Sequence, residues 1–352
     1  MSNNNRQSNM ELLRILSIIG VLFLHYNDPT YGAAYNYTIY GSINLIILDL
    51  FQAFSICAVN VFILISGYFL VNSNTRSLFK PVKLLFEVFF ITIVNYAYLV
   101  ASGKYYLSLL AYLYSVSTLY WFIGIYISLY LISPFINVIV NNINRKSMTV
   151  LVILLVVLFS IQPTAIDLTN FITDDNFNYF SNIGYYGSQA GFTIVNFVMM
   201  YTIGGVLRAC KDRVTSVPKS RYLLGYIILS IIVDFVNQFT SIAIAYSTPV
   251  IVAQATMLFC FFMCIDLGSS KIINFLSAST FTVYCTHIYF FPLYNIPKYA
   301  TATPLISLVH VVLTVFSIYL ICTGFHFLYS LITEPVFNKL RPLIEKTKYK
   351  VE

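Results

Sequence analysis

Ten apolar stretches of helical length, joined by short polar connections, decide which solvent this chain can fold in. They lie near 10–27, 43–70, 84–101, 119–140, 148–162, 190–207, 222–246, 249–267, 279–296 and 303–331. About 20 apolar residues suffice to carry a helix across the ~30 Å hydrocarbon core. Of 352 residues 59% are hydrophobic and only 9% charged, whereas a soluble domain carries roughly a quarter charged residues. Backbone groups in lipid must be satisfied within the protein, and the period-two alternation of a transmembrane barrel is missing. The expectation is an all-α, polytopic membrane helix bundle of about ten transmembrane helices. The second and last stretches are long enough to tilt or break, and the fifth is short.

The connections carry a consistent charge map. One set holds Arg76, Lys80 and Lys83; Arg145 and Lys146; Arg208, Lys211, Arg213, Lys219 and Arg221; and Lys271, with Arg6 before the first stretch. Lys339, Arg341, Lys346, Lys348 and Lys350 follow the last stretch. The opposite set holds only Lys104 and Lys298, beside Asp28, Asp167, Asp174 and Asp175. The excess of Lys and Arg marks the cytoplasmic side, so both termini are expected inside. The net charge of +7 is thereby absorbed by topology and calls for no nucleic-acid partner. A single membrane-embedded domain over 1–352 is expected, with a polar cytoplasmic N-terminus (1–9) and a basic cytoplasmic tail (332–352). No small-residue cleavage site follows the first stretch, which is therefore read as a retained helix. The outer connection at roughly 163–189 is long, as functional loops are.

The first stretch is unusual for its ionisable residues. Arg14 and His25 are eleven positions apart, which at about 100° per residue is three turns plus roughly 20°. Both therefore project from one face, separated by ~16 Å along the axis. Glu11 lies within about 60° of the same stripe, and Gln7 extends it if the helix starts early enough. Such a stripe belongs against the bundle interior or a water-filled cavity, not lipid. Snorkelling of Arg14 to the interface, and an interfacial His25, are the ordinary alternatives for each residue alone.

Four segments resemble the acyltransferase-3 family of integral-membrane O-acyltransferases. "NMELLRILSIIGVLFLHY" is similar to the family's opening helix, with Arg, ten residues, then His. "NVFILISGYFLV" resembles its second-helix signature, "LYWFIGIYISLYLISPFIN" its fourth-helix segment, and "FTVYCTHIYFF" its late Tyr-x-x-His element. The resemblance implies transfer of an acyl group, most often acetyl, from cytoplasmic acyl-CoA to a carbohydrate hydroxyl. The acceptor it implies is a cell-surface or exported polysaccharide or glycolipid; the richness in Asn, Ile, Tyr and Lys points to a bacterium, and so to its plasma membrane. It also implies a donor-site role for Phe62 and Ser66.

Acyl transfer to an alcohol needs a group near pKa 7 to take the hydroxyl proton or to carry the acyl group. His25, aligned with a membrane-embedded cation, is the expected catalytic residue, with Arg14 holding donor phosphates about one pantetheine-arm length away. Arg76 and Lys80 are further donor-site candidates, since Pro81 suits a helix start and a helix N-terminus can bind phosphate. Both also fit as ordinary cytoplasmic-side cations. Tyr126, on one face with Tyr130, is a candidate for sugar stacking or a proton relay, and otherwise an interfacial belt residue. His287 is a candidate on the acceptor side. Asp49 and Asp234, within apolar stretches, call for partners that the sequence does not identify.

No permanently bound cofactor is expected; acyl-CoA would be a co-substrate. The six cysteines show no CxxC pair and fit neither a disulfide framework nor a zinc site. No P-loop, GxGxxG, HExxH or GxSxG pattern stands in a usable context. The expected partners are acyl-CoA, a carbohydrate acceptor and the bilayer, and nothing bears on oligomeric state. A transporter, flippase or polymerase of lipid-linked oligosaccharides is the alternative. A flippase would be expected to show repeated halves or several cations lining a cavity.

Overall fold

The computed structural model describes residues 7–103, 108–117, 120–184 and 187–351. These residues are predominantly helical, with two strands of two residues each, and among them eight helices are long and apolar enough to cross a membrane. Arg6 and Lys104 of the charge map lie outside the described residues. The first helix, α1, spans Ser8–Asn27. The second stretch is one 28-residue unit broken at Ile56 and Cys57 into α2 (Ile43–Ser55) and α3 (Ala58–Leu70). Then follow α4 (Phe79–Ala101), α5 (Trp121–Asn142), α6 (Arg145–Thr173), α7 (Ile194–Ala209), α8 (Lys219–Asn237) and α9 (Pro249–Met263). The chain closes with α10 (Thr280–Thr286) and α11 (Pro304–Ile344).

Several boundaries are set by local chemistry. Ser42, Asn144, Thr193 and Thr248 each accept a hydrogen bond from a backbone N–H three residues on, capping α2, α6, α7 and α9. Pro249 and Pro304 occupy first-turn positions, where the missing N–H costs nothing.

Five stretches differ from the sequence expectation; the seventh ends at Asn237, short of its expected end near 246. The sixth becomes a helix of only 16 residues, α7. The ninth is not continuous: after α10 the chain passes through single turns at His287–Tyr289 and Phe291–Leu293 before Ile296–Ala300. Pro292 and Pro297 lie in this segment, and a proline cannot donate to the helical ladder. The fifth runs on to Thr173 through a π turn at Val157–Ile161, just ahead of Pro163. The last continues for 41 residues to Ile344, a length of ~60 Å that overshoots the bilayer core about twofold. Most of the basic tail is therefore an extension of α11.

Helix α1 stands at the centre of the bundle. Of its apolar window 72% is buried, against 11–17% for α4, α6 and α8. Met10, Leu13 and Leu24 join a core built largely from α3, α7 and α9. Ile15, Ile18, Val21 and Leu22 join a second core with Val311, Val315 and Ile318 of α11. A helix with apolar residues on both flanks of its polar stripe belongs in the interior, and this one divides the two cores.

Helices α3 and α7 touch backbone to backbone. A Cβ at Gly67 would collide with the Tyr201 carbonyl, and one at Gly204 with the Leu64 carbonyl. Lipid tails are as apolar as Leu, so helices in a bilayer associate largely through such close contacts between small residues.

Just past α3, Arg76 ties three elements together. Pro134 inside α5 lacks the N–H that would bond the Tyr130 carbonyl. The Ser133 hydroxyl donates to that carbonyl instead (2.7 Å) and accepts from Arg76 Nε (2.8 Å). Nη1 of Arg76 donates to the Ser73 and Thr75 carbonyls, and Nη2 to the Leu70 carbonyl and the Tyr201 hydroxyl. Thr75–Arg76 (β1) also pairs antiparallel with Tyr349–Lys350 (β2), which brings the tail back onto this corner.

Candidate active site

Between α1, α3, α5 and α10 lies a cavity of about 390 Å³. Its lining contains seven of the nine residues singled out from sequence: Glu11, Arg14, His25, Phe62, Ser66, Lys80 and Tyr126. Arg14 and His25 thus face one space, as their helical spacing requires.

The near end is polar. Arg14 Nη1 donates to Glu11 Oε2 at 2.5 Å. Across the cavity, Lys80 on the first turn of α4 donates to the Tyr126 hydroxyl (2.8 Å), its ammonium about 5 Å from the Tyr126 and Tyr130 rings. Ser66 bonds back to the Phe62 carbonyl (3.0 Å), so its hydroxyl is occupied within its own helix. Among the described residues no imidazole or carboxylate is a hydrogen-bond partner of Ser66 that would activate it as a nucleophile. This end opens into a smaller adjoining space of about 260 Å³, lined also by Gln7 and Phe69. Helix α1 begins only at Ser8, yet Gln7, immediately before it, still reaches this mouth.

The middle is apolar, walled by Ile18, Val21, Phe62, Ile65, Phe122 and Phe281. The far end is aromatic around one imidazole: Tyr31, Trp121, Tyr246 and Tyr284 surround His25. The Tyr31 ring lies 4.5 Å from the His25 ring, tilted by 36°. Burial, and then the charge of Asp28, push the Tyr31 phenol above its ordinary range, so it is a neutral neighbour of the imidazole.

His287 stands behind His25 rather than in the cavity lining. His25 Nδ1 and His287 Nε2 are 2.6 Å apart, with the rings 16° from parallel and their centroids 4.8 Å apart. Rings so disposed meet edge to edge, with the bond close to both planes. His287 Nδ1 is 2.8 Å from the Val283 carbonyl, which can only accept. Nδ1 of His287 is therefore the donor, and its Nε2 has the lone pair that accepts from His25 Nδ1–H. His25 is left with Nε2 unprotonated, on the cavity side of the pair. The logic is that of a base whose tautomer is fixed by a third group.

Arg76 is not part of the cavity. It is 2% exposed, and its five N–H groups are all engaged by protein acceptors. None is left for a phosphate, and the donor-site expectation for Arg76 is corrected accordingly. The acids within the apolar stretches also lie elsewhere. Asp49 accepts from the Tyr35 hydroxyl (2.9 Å) and from Gln238 (3.2 Å), and Glu87 from the Thr282 hydroxyl.

Sequence reasoning assigned no site role to Tyr31, Trp121, Tyr246 or Tyr284, although all four line the far end. Tyr284 carried a usable signal, three residues before His287. Tyr246 had none, because it lies in the connection before α9, where its N–H donates to the Ala190 carbonyl and its carbonyl accepts from Asn60.

A family model described as an acyltransferase domain matches residues 7–327. Neither a curated protein nor a solved structure matches the chain.

Proposed function

This chain belongs to the acyltransferase-3 family of acyltransferases, and from that premise we propose that it acylates a carbohydrate hydroxyl with an acyl group drawn from cytoplasmic acyl-CoA. The acceptor in this reading is a cell-surface or exported polysaccharide or glycolipid, and the acyl group is acetyl. The protein works in the plasma membrane of a bacterium as a single domain of ten crossings, both termini cytoplasmic. The short α7 and the broken α10 segment supply the two crossings beyond the eight long ones.

The reading rests on one observation above others. A single cavity has cations at one end and, ~16 Å away by helix rise, an imidazole whose free lone pair is fixed by a second imidazole. Arg14 and Lys80 hold donor phosphates at the mouth, Phe62 and Ser66 flank the pantetheine arm, and the thioester carbonyl reaches His25. Nε2 of His25 takes the hydroxyl proton as the acceptor oxygen attacks that carbonyl. The C–O bond forms, the C–S bond breaks, and the proton passes to the departing thiolate. A covalent route begins at the same atom: Nε2 attacks the carbonyl and the thiolate leaves; the hydroxyl oxygen then attacks the acyl-imidazole, the C–N bond breaks, and the hydroxyl proton passes to the thiolate. In either route the Nδ1–H···Nε2 bond to His287 stabilises the charge developing on the His25 ring. Tyr126 keeps Lys80 pointed at the mouth, and the far aromatic rings suit the flat faces of a sugar.

The test compares polysaccharide acylation by NMR in a deletion strain restored with wild type or with His25→Ala. Acylation lost on deletion, regained with wild type and absent with a normally expressed His25→Ala is the expected pattern. Acylation unaffected by deletion would overturn the reading.

A further inference from the structure

The mouth of the cavity is short of positive charge for the donor it is read to hold. Arg14 is paired with Glu11 at 2.5 Å, so the two nearly cancel at any distance. Arg76 is enclosed among protein acceptors. Lys80 remains as the one uncompensated cation among the described residues at the mouth. An acyl-CoA brings a pyrophosphate and a 3′-phosphate monoester, the latter alone carrying about −1.5 to −2 at neutral pH.

The missing charge lies next door. Gln7 and Phe69, which line the mouth, also line an adjoining cleft of about 670 Å³. Arg208, in the last turn of α7, and Lys211 stand in that cleft. Arg208 is aimed by Tyr68, 1% exposed, through a 2.9 Å hydrogen bond from Nη1 and a guanidinium 4.7 Å from the ring centroid. That is its one hydrogen bond among the described residues, which leaves most of its N–H groups available. The cleft's own acid, Asp266, bonds the Gly268 N–H (2.9 Å) and forms no ion pair with either cation. Phe69 is 39% exposed, an aromatic face at the boundary between the two spaces.

We propose that this cleft binds the nucleotide end of the acyl-CoA. Arg208 and Lys211 take the 3′-phosphate, and the base stacks on Phe69. Guanidinium and ammonium groups next to an exposed aromatic ring are the usual chemistry for a phosphorylated nucleoside. The three spaces then form one path for one extended ligand: nucleotide in the cleft, pyrophosphate at Lys80 and Arg14, thioester at His25. The inference rests on acyl-CoA being the donor, and the experiment separates the two.

Purified protein in lipid nanodiscs is assayed with acetyl-CoA and with acetyl-dephospho-CoA, which lacks only the 3′-phosphate. Wild type is expected to show a KM roughly tenfold lower for acetyl-CoA, the size of one charge-assisted contact. Lys211→Gln and Arg208→Gln should each erode that ratio several-fold, while Lys146→Gln, a cation of the same set of connections outside the cleft, leaves it intact. Equal KM for the two donors in wild type, a preserved ratio in Lys211→Gln, or equal erosion in Lys146→Gln overturns the cleft assignment alone. No transfer from either donor by wild type overturns the acyl-CoA reading and the cleft assignment with it.

Discussion

His287 donates from Nδ1 to the Val283 carbonyl, and that bond determines which nitrogen of His25 is basic. With His287 gone, His25 could hold its proton on either nitrogen, and the proton on Nε2 would silence the lone pair facing the cavity. We expect His287→Ala to lower kcat by about 10²-fold or more, with donor KM little changed. His287→Gln, whose side-chain oxygen can accept from His25 Nδ1–H, should recover part of that loss. Steady-state kinetics of the two variants checks this, and wild-type kcat in His287→Ala would refute it. Arg76 behaves as a different kind of residue. Arg76→Ala removes one donor each from the Leu70, Ser73 and Thr75 carbonyls, which keep Asn137 Nδ2 or the Ser73 hydroxyl, and unties the Ser133 and Tyr201 hydroxyls; it should cost about 1–3 kcal/mol of stability. Thermal unfolding in detergent would register the loss, and the surviving protein should keep its donor KM.

At the level of helices, the contact between α3 and α7 sets the wall carrying Phe62 and Ser66. Gly204→Val would press a side chain into the Leu64 carbonyl and should destabilise by about 1–3 kcal/mol. Gly124→Ala on α5, with nothing within 4 Å of the added Cβ, should leave the unfolding midpoint unchanged or raised. Both are read from the same melting experiment. The helices themselves were largely legible in sequence, because run length alone decides what can cross a bilayer. The interruption after α10 was written in Pro292 and Pro297. The break at Ile56–Cys57 has no proline to announce it and comes from packing. The shared face of Arg14 and His25 was legible because both sit on one helix with one period. The pairing of His25 with His287, 262 positions apart, obeys no local period. Nor could the enclosure of Arg76 be read, since it depends on Pro134 in α5 and Tyr201 in α7.

For the molecule as a whole, the charge map commits to an orientation that labelling can check. In a background lacking the half-buried Cys210 and Cys264, Asp175→Cys should react with a membrane-impermeant maleimide in intact cells. Lys146→Cys should react only after permeabilisation. The opposite pattern would invert the protein and put the mouth of the cavity on the wrong side for a cytoplasmic donor.

The separation of Arg14 and His25 also bears on energy supply. About 16 Å of a ~30 Å core lies between them along α1. A unit charge moved across the full bilayer exchanges about 2.3 kcal/mol with every 100 mV of membrane potential. What travels the span from Arg14 to His25 in the proposed reaction is an acyl group, which is neutral, while the phosphates stay near Arg14. The thioester alone then drives transfer, and an uncoupler that collapses the potential of sealed vesicles should leave the rate unchanged.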